Sequence, residues 1–166
     1  MNVGHAGRAA PKRVVLRRPV VDKAAPGRAM RGRAVKALTD LLGQVSAIRL
    51  REIALTQGSE NGAAGIVAQI DVLHRSRTLI CAVASGHSSR QLRPTLEELC
   101  HGAGQGQATP VLIAPRISPL VQAICKQNRI SYLDFDGNAR LDLEEVFIGK
   151  RMFPHRCGKA DPLVSA

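Results

Sequence analysis

The sequence predicts an α/β fold: a mixed central sheet with helices on its faces, in the order α-β-β-β-α-β-α-β-β. Three observations predict it. Apolar residues recur at helical spacing in three separate segments, and short apolar runs bounded by polar or Gly/Pro stretches lie between them. One of those runs, TLICAVAS at 78–85, carries no charge, as a central strand covered on both faces requires.

The first helix is predicted from about Met30 to Ser46, where Ala34, Leu38, Leu41, Leu42 and Val45 keep i, i+3, i+4, i+7 spacing. Its leading part carries Arg31, Arg33 and Lys36. Segment 48–56, IRLREIALT, alternates apolar and charged residues loosely, as a strand does. GSENG at 58–62 reads as a loop, and AAGIVAQIDVL at 63–73 as the second strand. The polar stretch HRSR, 74–77, is expected to turn the chain into the third strand, 78–85, forming a hairpin.

Ser88 or Ser89 can cap a second helix that runs to about Cys100 on the stripe Leu92, Leu96, Leu99. HGAGQGQATP, 101–110, reads as a Gly-rich loop, and VLIAP, 111–115, as a buried strand. Ser118-Pro119 has the cap-then-proline pattern that opens a helix, with Leu120, Val121, Ile124 and Cys125 as its inner face. ISYLDF, 130–135, is a strand, and DGN at 136–138 a tight turn in which Gly137 can take positive φ. ARLDLEEVFIG, 139–149, is expected to return as one strand. The organisation expected is a flexible basic arm at 1–29, an α/β domain at 30–149 and a disordered basic tail at 150–166.

The net charge of +11 is unevenly placed. Residues 1–36 hold ten Lys/Arg against Asp22 alone, whereas residues 37–147 are nearly neutral. Cations on a flexible arm suit sequence-independent phosphate contacts, so Arg8, Lys12, Arg13, Arg17, Arg18, Arg28, Arg31, Arg33 and Lys36 are candidate DNA-binding residues. Aromatic residues make up only 2% of the chain (Tyr132, Phe135, Phe147 and Phe153), which argues against base-stacking folds of the RRM or OB type. No apolar run approaches the ~20 residues of a membrane span.

The N-terminal segment lacks the apolar region of a secretory signal. It is Arg-rich and acid-poor like a transit peptide, but its first serine is Ser46. A cytoplasmic location is expected. Cys81, Cys100, Cys125 and Cys157 form no C-x-x-C pair or zinc spacing, and the five histidines form no H-x-x-x-H pair. The opening DFDG of residues 134–137 superficially suggests a calcium loop. Its Gly stands at the fourth position rather than the sixth, and its flanks are strand-like, so a hairpin turn is expected.

A helix, three meandering strands, a helix and a further strand is the order of restriction-endonuclease-like cores, and the chain resembles them at specific residues. The resemblance implies an acid in the second strand and an acid-x-Lys triplet in the third, which together hold Mg²⁺ and position the attacking water. Asp71 matches the first acid, but the triplet falls on Ala82 and Ala84. The weak catalytic or metal candidates are therefore Asp71 with a migrated acid, Glu97 before Glu98 or Glu52, while His87 has no evident partner.

The segment PVLIAPRISPLVQAICKQNRISYLDFDGNARLDLEEVFI resembles bacterial regulators related to the type IV abortive-infection antitoxins, through its strand–helix junction PVLIAP-ISP and its hairpin YLD-x-x-GNARL. This resemblance spans about residues 34–148 and implies a DNA-binding or regulatory role, or an interaction with a toxin-like protein partner through a sheet edge. The winged helix of those regulators has no recognisable counterpart in the tail. The leading expectation is a non-catalytic DNA-binding protein without a cofactor; the alternatives are a Mg²⁺-dependent endonuclease using Asp71, or a protein-interaction module.

Overall fold

The structure, a computed structural model, describes residues 27–56, 64–103 and 108–151. The arm residues Arg8, Lys12, Arg13, Arg17 and Arg18 and nearly all of the tail lie outside the described residues, as does the loop 57–63.

Three helices and seven strands follow one another as α1 (Arg28–Gly43), β1 (Ile48–Thr56), β2 (Ala64–Val72), β3 (Arg75–Val83), α2 (Ser89–Ala103), β4 (Ala108–Ala114), α3 (Pro119–Gln127), β5 (Ser131–Asp134), β6 (Ala139–Asp142) and β7 (Phe147–Lys150). The strands form one mixed sheet in sequence order, β1-β2-β3-β4-β5-β6-β7. The pairs β1–β2, β2–β3, β5–β6 and β6–β7 are antiparallel, whereas β3–β4 and β4–β5 are parallel. Each parallel pair needs a crossover, and α2 and α3 supply the two crossovers. The opening α-β-β-β-α-β is the order of a nuclease-like α/β fold.

Two cores lie on opposite faces of the sheet. On one face α1 buries Ala34, Leu38, Leu41 and Leu42 against Ile66, Ile70, Leu79, Val83, Ile113 and Leu141. On the other, α2 and α3 bury Leu92, Leu96, Leu99, Val121 and Cys125 against Ala84, Leu112 and Tyr132. The alternation of β3 and β4 between these cores follows the two-residue period of a strand. In β4 both faces are covered, which is why 111–114 is apolar throughout; in β3 Leu79, Cys81 and Val83 are buried in one core while Ile80 on the other face stays 36% exposed, so the expected two-sided cover of that strand is only partial.

The structure corrects three expectations. HRSR is not a turn: only Leu73 and His74 turn the chain, at φ 55° and 129°, and Arg75, Ser76 and Arg77 already belong to β3. The backbone there twists as a two-residue hairpin demands, without the glycine that usually signals one. The loop after α2 is shorter than expected, since the helix reaches Ala103 and β4 starts at Ala108. Residues 139–149 form two strands instead of one. Glu144 takes φ 65° between them, the Leu143 N–H donates to the Val146 carbonyl, and β7 folds back on β6. The order is therefore α-β-β-β-α-β-α-β-β-β, and β7 rather than β6 closes that side of the sheet.

Candidate nucleic-acid interface

The strand register decides what this sheet can hold. Across the β2–β3 ladder, Gly65 pairs with Ala82 and Ala64 with Val83, while Asp71 pairs with Ser76 at the opposite end. Six residues of extended chain separate Asp71 from Gly65, about 20 Å at ~3.3 Å per residue. The sequence expectation that Asp71 stands in register with positions 82 and 84 is thus corrected: period-2 alternation assigns a face, but only the pairing assigns a height along the strand.

The carboxylate of Asp71 is also engaged. It pairs with the Arg51 guanidinium and accepts from the Ser76 hydroxyl at 2.8 Å. The Arg51 hydrogen bond, then that of Ser76, holds Asp71 below its ordinary value of 3.8, with the charge of Arg49 adding to the effect. A carboxylate so held stays ionised with both oxygens occupied. Glu97 does not join it: Glu97 lies exposed on α2, 3.4 Å from Arg93. Glu52 faces Gln69 across β1–β2, and His87 is exposed in the β3–α2 loop.

A divalent cation at positions 65, 82 and 84 would need oxygen donors, and glycine and two alanines offer none from their side chains. Among the described residues no group of three His, Cys, Asp or Glu side chains could hold a metal. The described residues therefore do not fit the Mg²⁺ that the fold resemblance implies.

The cations of α1 are arranged differently from the expected leading face. At about 100° per residue, Arg31 falls within the buried seam, its Nε buried without a hydrogen-bond partner, whereas Arg28 lies to one side of the seam and Arg33 and Lys36 to the other. Lys36 is paired with Asp40 at 2.7 Å, so part of its charge is already answered. Arg33 lies over the Phe135 ring, 4.5 Å from its centroid, which ties the start of α1 to the β5–β6 turn.

That turn is built by Asp134, only 1% exposed. Its carboxylate accepts the Asn138 backbone N–H and the Asn138 side-chain amide, both at 2.8 Å, and the Ile117 N–H at 3.4 Å. Gly137 takes φ 95°, as the sequence predicts, and Asp134–Asn138 is a hairpin turn, not a cation loop. Phe135 donates its N–H to the Pro115 carbonyl, and next to Pro115 Arg116 pairs with Asp136 at 3.1 Å. The ladder partner of Ala139 is Lys150, whose ammonium donates to the Gln44 side chain at the end of α1, 3.5 Å away.

Arg33 and Arg116 thus meet at one turn from two distant parts of the sequence. Sequence reasoning singled out Arg33 only. The signal for Arg116 was the strand–helix junction itself, whose residues lie at the carboxyl end of a parallel strand, where α/β sheets place their ligands.

No family model matches the chain, and no curated protein matches it. Among solved structures, EndoMS in its apo form is similar at 11% identity with a TM-score of 0.42, over 66% of this chain and 46% of that one.

Proposed function

We propose that this protein binds duplex DNA through its phosphates and does not cut it. The observation that carries this reading is the row Gly65, Ala82 and Ala84: at the end of β2–β3 where the resemblance puts the acid-x-Lys triplet, this chain has one hydrogen and two methyl groups. The charge distribution supports the binding half, with a +9 excess in residues 1–36 and further cations about the β5–β6 turn. Contacts of this kind position a protein on DNA without reading bases, so sequence preference is weak. The resemblance of residues 34–148 to antitoxin-related regulators extends the proposal to a regulatory role.

The test is fluorescence anisotropy with a labelled random-sequence duplex at several salt concentrations, comparing the full chain with residues 27–166. The cut is placed before Arg28 because α1 begins there and buries Ala34. Each phosphate neutralised adds roughly 0.9 to the slope of log K against log salt. The full chain should bind with a steep slope, and removing the arm should flatten it by several units. Binding that ignores salt would overturn the proposal.

A further inference from the structure

Two acids stand two residues apart in the β5–β6 turn and do opposite work. Asp134 is buried and holds the turn together through Asn138 and Ile117. Asp136 is exposed and makes one ion pair, with Arg116; the side chains of the pair are 76% exposed for Arg116 and 51% for Asp136. An ion pair this open contributes little to stability, because water screens it and two side chains must be ordered to make it. The fold does not depend on Asp136. Its carboxylate instead sits on the Arg116 guanidinium, at the turn whose Phe135 ring carries Arg33, where a phosphate oxygen could take its place.

We propose that the β5–β6 turn is a phosphate-contact site for duplex DNA, in which Arg116 binds the backbone and Asp136 is a built-in competitor that DNA must displace. The site rests on the DNA-binding reading above and deepens it by giving the folded domain its own contact, independent of the arm. Phe135 gives the site its shape. Its ring carries the Arg33 guanidinium on the α1 side, and its backbone is bonded to Pro115, beside Arg116. Arg33 and Arg116 are therefore held at the same turn by different bonds of one residue. The competitor limits affinity and steepens the preference for polyanions: a lone anion gains little by displacing a carboxylate, whereas a duplex presents successive phosphates to several cations at once.

The test is a double-mutant cycle in the full chain, with affinity for the same labelled duplex as readout and far-UV circular dichroism as the control for folding. Asp136→Asn should tighten binding about threefold at low salt, the size of one unscreened like charge removed near a phosphate. Arg116→Gln should weaken binding and lower the salt slope by about one. In the Arg116→Gln background, Asp136→Asn should lose most of its effect, because the carboxylate then blocks nothing. If the wild type binds but Asp136→Asn leaves affinity unchanged, or acts equally in both backgrounds, the competitor role is wrong while the DNA-binding reading stands. If the wild type does not bind the duplex at all, that reading fails, and this proposal with it.

Discussion

Gly65 and Ala82 face each other across the β2–β3 ladder, and neither has a side chain that could hold a metal or a proton. The pairing is sterically built in as well as chemically empty. A β-carbon at position 65 would run into the Thr56 side chain on the neighbouring strand. The position that faces Ala82 is thus kept free of any side chain by its other neighbour.

The separation of roles within the β5–β6 turn predicts unequal costs. Asp134→Ala leaves the Asn138 and Ile117 donors without their acceptor, and should cost about 2–3 kcal/mol in urea unfolding. Asp136→Ala should cost under about 0.5 kcal/mol, since it breaks only an exposed ion pair. Equal losses for the two would mean that the turn is not held as described.

The acid limb of stability should report the charge cluster that joins β3 to the β6–β7 turn. Arg77 lies 2.6 Å from Glu145 and 2.7 Å from Glu144, and its hydrogen bond holds Glu145 below its ordinary value of 4.5. A group whose folded pKa is lowered contributes stability that is full above its unfolded value and is lost as the pH falls through the folded one. The urea midpoint should therefore drop as the pH is taken below about 4.5, and Glu145→Gln should make that drop shallower. An unchanged acid limb in the variant would contradict this account.

Burial pushes the thiols of Cys81 and Cys125 up to about 12. In native protein carrying Cys157→Ser, a thiol reagent near neutral pH should modify the exposed Cys100 and spare the other two until denaturant is added. Rapid labelling of all three in the native state would contradict the two buried cores.

Leu38 is fully buried between α1 and the sheet. Leu38→Ala should cost about 2–5 kcal/mol, the range for a truncated core leucine. It should leave DNA affinity near wild type at temperatures where the variant is folded, because Arg28, Arg33 and Lys36 lie off the buried seam.

Much of the fold was legible because its elements carry their own signals. The stripe from Ala34 to Val45, the Ser118-Pro119 cap and the apolar β3 and β4 are local facts of the sequence. One turn was placed too late and another was missed, for one physical reason. Leu73 with His74, and Glu144, occupy left-handed backbone without being glycine, so no Gly or Pro punctuates the chain there. The site was less legible. That Ala82 and Ala84 cannot do metal chemistry could be read directly, but the place of Asp71 could not, because register depends on pairing between strands. The meeting of Arg116 with Arg33 depends on the turn that brings them together.

The most direct measurement incubates the full-length protein with supercoiled plasmid in EDTA, Mg²⁺ or Mn²⁺, at low and moderate salt, and runs the products on a gel with and without removal of bound protein. The account predicts a salt-sensitive mobility shift whose plasmid returns fully supercoiled in every metal. Nicking that requires Mg²⁺ or Mn²⁺ and disappears in Asp71→Ala would contradict it, and would make the protein an enzyme.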